Sequence, residues 1–363
     1  MRIAVLGGGH GSYAAAADLS EQGHEVRLWR RDAVALEAVR RAGSIGLIDA
    51  AGNRRVPIAC ATSDIGEAVS GAELLLMPSP AIAQDDIADA IAPHLSDGQV
   101  AFLPPGTFGS VTMARRVAAA RAALGARHAD VLWAETGTLP YLARKRADDT
   151  VAITIRAVRL PTGVYPASRA DEALATIARA YPSVLPCGDA LSGALMNAGP
   201  IIHPPLILMN AAPLEFNARY DIHLEGTQPS VRAVTDALDQ ERIAVREALG
   251  WGAPHFPLRD HYTSDRWMYG DAHKRLTDSG DWREHIDLHT HRYMTEDTAL
   301  GLAFLASCAR FAGVEAPLAH GLLAVAGAIL GRDLRHGPRT LEALGLSALA
   351  PAALRQRLHE GTA

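Results

Sequence analysis

The sequence predicts a two-domain chain, α/β over residues 1–188 and all-α over residues 189–363, and three observations carry that expectation. Its 363 residues exceed what one hydrophobic core usually serves. Up to about Cys187, short apolar runs such as "IAVLG", "VRLW", "ELLLMPSP" and "VAFLPPG" alternate with alanine-rich stretches of helical period. That alternation is the pattern of a parallel sheet with crossover helices. Beyond Gly188 the strand signals fade and helical ones take over.

Composition excludes several classes of function. With 48% hydrophobic and 21% charged residues and a formal net charge of -5, the chain offers no basic field for nucleic acid. Three separated cysteines, Cys60, Cys187 and Cys308, suggest neither a disulfide framework nor a zinc site, and fit a reducing compartment. The N-terminus runs directly into "IAVLG", and no stretch of about 18 uncharged apolar residues follows. A cytoplasmic protein without a membrane partner is expected.

Taken in order, the first element is a strand that delivers "GGGHGS" to a helix. Gly7 and Gly9 allow a tight turn and backbone approach to a pyrophosphate, and the helix N-terminus at His10, Gly11 and Ser12 points free N–H groups at it. Ser12 stands where Gly or Ala is usual, and the shifted register Gly9, Gly11, Ala14 also satisfies the pattern. Both registers predict a Rossmann-type dinucleotide site. At the end of the second strand, "HEVRLW", an acid would read the ribose 2′-OH of NAD, whereas this chain has Arg30 and Arg31. Guanidinium groups suit a 2′-phosphate, so NADP is preferred over NAD, with Asp32 the alternative reader for NAD. Pro80, in "MPSP", is expected at the same cofactor.

In the second half, "TQPSVRAVTDALDQERIAVREALG" has a Thr/Pro start, Val234, Leu238 and Leu249 at helical intervals, and a Gly stop. "DTALGLAFLASCARFAG" and "PLAHGLLAVAGAIL" are apolar all round, as buried or subunit-interface helices are, and a homodimer is expected. The Trp-, His- and Gly-rich stretch from Trp251 to His291 has weak periodicity and reads as a long loop or lid. Within it His289 and His291 alternate as on a strand, and with Asp287 could hold a metal, but the spacing matches no recognised motif and no metal is expected. Polar residues stand out at Asn197 and His203 in "MNAGPIIHPPLILMNA" and at Arg292, Glu296 and Asp297 in "HRYMTEDTALGL". A histidine beside a carboxylate moves protons near neutral pH, and an arginine fork clamps a carboxylate. Taken alone, a histidine in such an apolar stretch as that of His203 is more often a structural residue, and Arg292 with Asp297 is equally an ion pair that stabilises the domain.

The ordered set "GGGHGSYAAAADL", "TSDIGEAVSGAELLLMPSPA", "LPPGTFGS", "AETGTLPYLARK", "NAGPIIHPPLILMNA", "YDIHLEGTQPSV", "HRYMTEDTALGL" and "GPRTLEALGLSAL" resembles the octopine/nopaline, or opine, dehydrogenase family over nearly the whole chain. The resemblance implies a Rossmann domain, a helical domain and a catalytic cleft between them. It further implies condensation of an amine with a 2-oxo acid and reduction of the imine by a nicotinamide cofactor. By the same resemblance His203 is the catalytic histidine, Asp297 its acidic partner, Arg292 the substrate-binding arginine, and Asn197 a neighbour of the reacting carbon. Glu135 and Arg144 fall where the family's cofactor domain faces the cleft. Two rivals stand beside this reading: direct reduction of a ketone to a 2-hydroxy acid, and a cofactor-binding protein without catalysis.

Overall fold

Strands in the first half form two sheets. The computed structural model describes residues 1–363 and divides into two units, Met1–Ala194 and Leu195–Ala363. In the first unit lie β1 (Arg2–Leu6), β2 (Glu25–Trp29), β3 (Ser44–Asp49), β4 (Gly52–Pro57), β5 (Cys60–Thr62) and β6 (Leu74–Leu76). They are followed by β7 (Val100–Leu103), β8 (Leu132–Thr136), β9 (Tyr141–Ala147), β10 (Thr150–Arg156), β11 (Leu160–Tyr165) and β12 (Val184–Asp189). Eight of them make one sheet in the order β12-β11-β8-β7-β6-β1-β2-β5. The pairs are parallel except β11 with β8. Central β1 is buried on both faces from Ile3 to Leu6, which is why "IAVL" is continuously apolar.

The second sheet, ordered β4-β3-β10-β9, is absent from the reading of the sequence. "SIGLIDAAGNRRVP" folds back as an antiparallel hairpin of β3 and β4, and β9 and β10 form another antiparallel pair. Around the strands run α1 (His10–Glu21), α2 (Glu37–Ala42), α3 (Ile65–Val69), α4 (Gln84–Ile91), α5 (Gly109–Ala123), α6 (Ala170–Ala178) and α7 (Ala190–Ala194). Buried Ala14 to Ala17 let α1 pack closely. Its Asp18 accepts from Tyr141 Oη of β9 at 2.9 Å and from Arg156 Nε of β10 at 2.8 Å, so one buried carboxylate fastens the small sheet to the helix.

The second compact unit runs from Leu195, and α7, before it, packs backbone to backbone on β11. Its helices are α8 (Gly199–Met209), α9 (Ala211–Phe216), α10 (Pro229–Ala248), α11 (Arg259–Thr263) and α12 (His273–Asp278). A π-helix, Tyr293–Leu302, runs on into α13 (Ala303–Ala312), then α14 (Pro317–Leu330) and α15 (Pro351–Glu360). Two short strands, β13 (Tyr220–Asp221) and β14 (Arg283–Glu284), pair antiparallel. Helix α10 starts at Pro229 as its sequence predicts, and Leu238 and Leu249 are buried. Helix α13 is largely buried, but α14 buries only Ala319, Leu323 and Ala326 and leaves Val325 half-exposed.

The reading of Trp251–His291 as a lid is corrected by its packing. Trp267 is 1% exposed and donates from Nε1 to Phe256 O at 3.0 Å, and Tyr269 and Trp282 are buried. Burial, reinforced by nearby His273 and Arg232, pushes the pKa of His261 down to about 3, so its ring is a neutral core member. The buried Asp239 of α10 anchors the segment, accepting from Arg242 Nε at 2.6 Å and from Leu258 N at 2.7 Å. Weak periodicity here reflects an irregular core segment held by aromatic rings.

Gly163 of β11 decides how closely α7 approaches. A Cβ there would lie 2.1 Å from Asp189 O and 2.7 Å from Gly193 N, both backbone atoms. Gly163→Ala is expected to destabilise the protein by roughly 1–3 kcal/mol or more through overpacking. Urea unfolding followed by tryptophan fluorescence measures this, and an unchanged midpoint would contradict the close approach.

Candidate active site

The nucleotide loop is built from the exit of β1. Gly7 N donates to Trp29 O at 3.0 Å, tying the loop to the end of β2. Gly7 has φ +142°, and a Cβ on it would lie 2.6 Å from Ser12 Oγ and 2.8 Å from Ser79 Oγ, so only glycine fits. Gly9 caps α1, which begins at His10. Gly7 and Gly9 are therefore the loop glycines, and Gly11 belongs to the first helical turn, where it faces Pro78. Buried Ser12 has no hydrogen-bond partner for its Oγ. Ser79 Oγ donates to Leu6 O at 2.9 Å, and exposed Pro80 begins the short turn that follows. An open glycine cradle, an orphaned buried hydroxyl and a helix N-terminus fit a dinucleotide pyrophosphate.

Past β2 the two arginines separate. The Arg30 stem covers Gly8, and its Nη1 donates to Ala35 O at 3.1 Å and to Tyr13 Oη at 3.4 Å. Arg31 turns away to an exposed pair with Asp86 at 3.1 Å. Asp32 accepts from Ala35 N at 3.1 Å and closes its own turn. Glu135 is fully buried on β8, accepting from Phe108 N at 2.8 Å, Ser110 N at 3.3 Å and Ser110 Oγ. This carboxylate holds the "PPGTFGS" loop, while Arg144 lies on β9 opposite Ala152.

In the second unit, α8 and the π-helix bring the polar residues together. Asn197 Oδ1 accepts from Gly199 N at 3.0 Å and shapes the start of α8. His203 follows one turn later, before Pro204 and Pro205. Its Nδ1 lies 2.8 Å from Asp297 Oδ2, and the carboxylate is 5% exposed. A carboxylate only accepts, so Nδ1 carries the proton and the neutral ring presents Nε2 as its base. Tyr293 stacks on the His203 ring with centroids 3.7 Å apart and planes 13° apart. His223 meets both edge-on, its Nε2 3.4 Å from Tyr293 Oη, and Trp282 packs edge-on to His223 at 5.9 Å.

Arg292 caps the π-helix, with Nε 3.6 Å from Glu296 Oε2 and its side chain 44% exposed. Partial desolvation opposes its charge, but Asp297 and Glu296 outweigh it and hold the pKa above the ordinary arginine value. The extended-strand reading of the histidine segment is corrected: Asp287 accepts from His289 N at 2.8 Å and from Thr290 Oγ1 at 2.9 Å, making a turn. His291 instead packs edge-on to Tyr293 at 4.4 Å. No group of three or more His, Cys, Asp or Glu residues is placed to hold a metal ion, and no helix is long and apolar enough to cross a membrane. Tyr293, His223, Trp282 and Gly199 were missed in the sequence; all but Trp282 lie inside quoted motifs, but nothing local marks them as neighbours of His203 and Asp297.

Comparison with known proteins places this geometry in a family. Residues 186–330 match the model of the NAD/NADP octopine/nopaline dehydrogenase α-helical domain, and residues 3–129 match that of ketopantoate reductase PanE/ApbA. The chain is 31% identical over 365 residues to an opine dehydrogenase of Arthrobacter sp. (strain 1C), covering 97% of each. It is 24% identical to vitopine synthase of Allorhizobium ampelinum, over 96% of this chain and 97% of the relative. An octopine dehydrogenase solved with NADH and agmatine superposes with a TM-score of 0.69 at 18% identity, over 99% of this chain and 98% of that one. An NADP+-bound yersinopine dehydrogenase gives 0.66 at 17%, over 98% and 99%. The chain belongs to the opine dehydrogenase family. It is an NAD(P)-dependent oxidoreductase acting on CH–NH bonds, joining a 2-oxo acid to an amino acid by reductive condensation.

Gly199 supplies the room that Asp297 needs. A Cβ on it would lie 2.4 Å from Asp297 Oδ1. Gly199→Ala is expected to displace the carboxylate from His203 and lower kcat on the order of 10²-fold, the scale of a misplaced catalytic group. Steady-state assay beside a thermal melt checks this; full activity would show that the carboxylate's position is unimportant.

Proposed function

We propose that this enzyme prefers NADPH and condenses pyruvate, or a close 2-oxo acid, with the 2-amino group of an amino acid. In this reading His203, Asp297, Arg292 and Asn197 carry the substrate chemistry. Gly7, Gly9, His10, Gly11, Ser12, Arg30, Arg31 and Pro80 border the cofactor. The observation that carries it is the 2.8 Å His203–Asp297 contact. The substrates named for solved relatives, pyruvate, L-arginine and agmatine, set the classes to try first.

The side chains divide the work. His203 Nε2 accepts the proton of the incoming ammonium, leaving a neutral amine to attack the oxo carbon, and returns a proton to the departing hydroxyl as water. Asp297 holds the ring in that tautomer and stabilises its cation. Arg292, with its fork half-open to solvent, binds a substrate carboxylate. Asn197 orients the reacting centre. A bound nicotinamide supplies the hydride for the imine carbon.

Arg30 supports the cofactor preference, being held over the loop by neutral oxygens while Asp32 is spent on a turn. Half-exposed Val325 on α14 supports a homodimer, and three free thiols suit the cytoplasm. A monomer mass by light scattering would remove the dimer.

The deciding experiment is a matrix of 2-oxo acids against amines read by NADPH absorbance, with product masses. Oxidation should require both partners, and the product should weigh their sum less water plus two hydrogens. Consumption of NADPH by an oxo acid alone, giving a hydroxy acid, would replace this reading with the ketone reduction suggested by the ketopantoate reductase match.

Three variant series follow. His203→Ala and Asp297→Asn should each lower kcat by roughly 10²–10⁴-fold, the weight of general acid–base catalysis, with the double variant little worse than His203→Ala. Additive losses would show independent roles. Arg292→Lys should raise the oxo-acid KM despite retaining charge, since lysine lacks the fork, and an unchanged KM would remove Arg292 from the carboxylate. Arg30→Asp should reverse or erase the NADPH preference in kcat/KM; a wild type that strongly prefers NADH would overturn the cofactor reading.

A further inference from the structure

Strand β9 reaches the nucleotide loop from a part of the chain that the glycine motif does not touch. On it Tyr141, Ala143 and Lys145 alternate onto one face, and the first two are buried, with Tyr141 bonded to Asp18 of α1. At the end of that face the Lys145 backbone N–H donates to Nδ1 of His10, the first residue of α1, at 2.9 Å across 135 positions of sequence. The Lys145 ammonium then lies 4.0 Å from the centroid of the Tyr13 ring. The hydroxyl of that same ring accepts from Arg30, whose stem lies over Gly8.

Two cations thus converge on one tyrosine beside the loop. Neither is matched by a carboxylate: Arg30 bonds to a carbonyl and a hydroxyl, and Lys145 rests on a π face. Elsewhere on this unit Arg54, Arg55, Arg116 and Arg156 all form ion pairs. Burial, and then the charge of Arg30, lower the pKa of Lys145, while Asp148 and Asp149 act in the opposite direction. Like charges held together without a carboxylate in contact favour an anion between them, and a phosphomonoester carries close to two negative charges at neutral pH.

We propose that Lys145 completes the 2′-phosphate site, its ammonium and the Arg30 guanidinium together binding the phosphate on the adenosine ribose of NADP. The inference rests on the NADPH preference proposed above and adds a specificity determinant from the second sheet. Arg30 supplies the fork, Lys145 the point charge, and Tyr13 the neutral platform that spaces them.

Calorimetric titration with 2′,5′-ADP and 5′-AMP isolates the site, because the two differ only in the 2′-phosphate and neither requires turnover. Wild type should bind 2′,5′-ADP more tightly. Lys145→Ala should remove roughly tenfold or more of that preference, about one charge-assisted contact, with 5′-AMP affinity and melting temperature unchanged. Lys145→Arg should retain most of it. If wild type prefers 2′,5′-ADP and Arg30→Ala loses that preference, but Lys145→Ala binds 2′,5′-ADP like wild type, the Lys145 assignment fails and the NADPH reading stands. Equal weakening of both ligands would mark Lys145 as structural and also overturn it. A wild type indifferent to the 2′-phosphate would overturn both.

Discussion

Everything proposed for the substrate chemistry depends on the close approach of α8 and the π-helix, which sets His203 Nδ1 2.8 Å from Asp297. Two glycines make that approach possible. Gly199 leaves space for the Asp297 carboxylate, and Gly301 leaves space for the Pro200 ring, which a Cβ would meet at 2.2 Å. The carboxylate is nearly removed from water, a cost offset by a charge-assisted hydrogen bond worth about 1.5–3 kcal/mol. Within the π-helix the Thr298 hydroxyl also donates to Tyr293 O at 2.7 Å. Irregular helix is concentrated where the side chains must converge, as π-turns often are.

Buried carboxylates recur away from those side chains, and there each serves several donors. Asp18 joins α1 to the small sheet, Glu135 holds the loop after β7, and Asp239 pins Arg242 and the start of the aromatic segment. Such hubs stabilise only as complete sets, because removing one partner of a buried pair leaves an uncompensated charge at a cost of about 3–5 kcal/mol. Their consequence is positional.

The matches of the two halves divide the chemistry. A nucleotide-binding half resembling ketopantoate reductase is suited to hydride donors in general, since its loop reads only pyrophosphate and ribose. The family model of the helical domain covers residues 186–330, where His203, Arg292 and Asp297 lie, and the amine-dependent part of the reaction is proposed for that half. Fold alone would not separate imine from ketone reduction; the proposed proton-handling and carboxylate-binding side chains would.

By itself the sequence determined what local physics determines. The buried β1, the glycine turn into α1, the limits of α10 and the candidate status of His203 and Asp297 all follow from period, turn chemistry and motif. The second sheet escaped because its strands are mixed in polarity and its two local hairpins join only through β3 and β10, about 100 residues apart, as Gly46 N to Asp149 O illustrates. The aromatic segment looked like a loop because its burial comes from rings at irregular spacing. Tyr293 and Lys145 could not be assigned from sequence, since their significance lies in what they touch: His203 in one case, and in the other Tyr13, the ring whose hydroxyl accepts from Arg30. Only tertiary structure decided those contacts, because they join segments far apart in the chain, and no periodicity within either segment encodes its distance to the other.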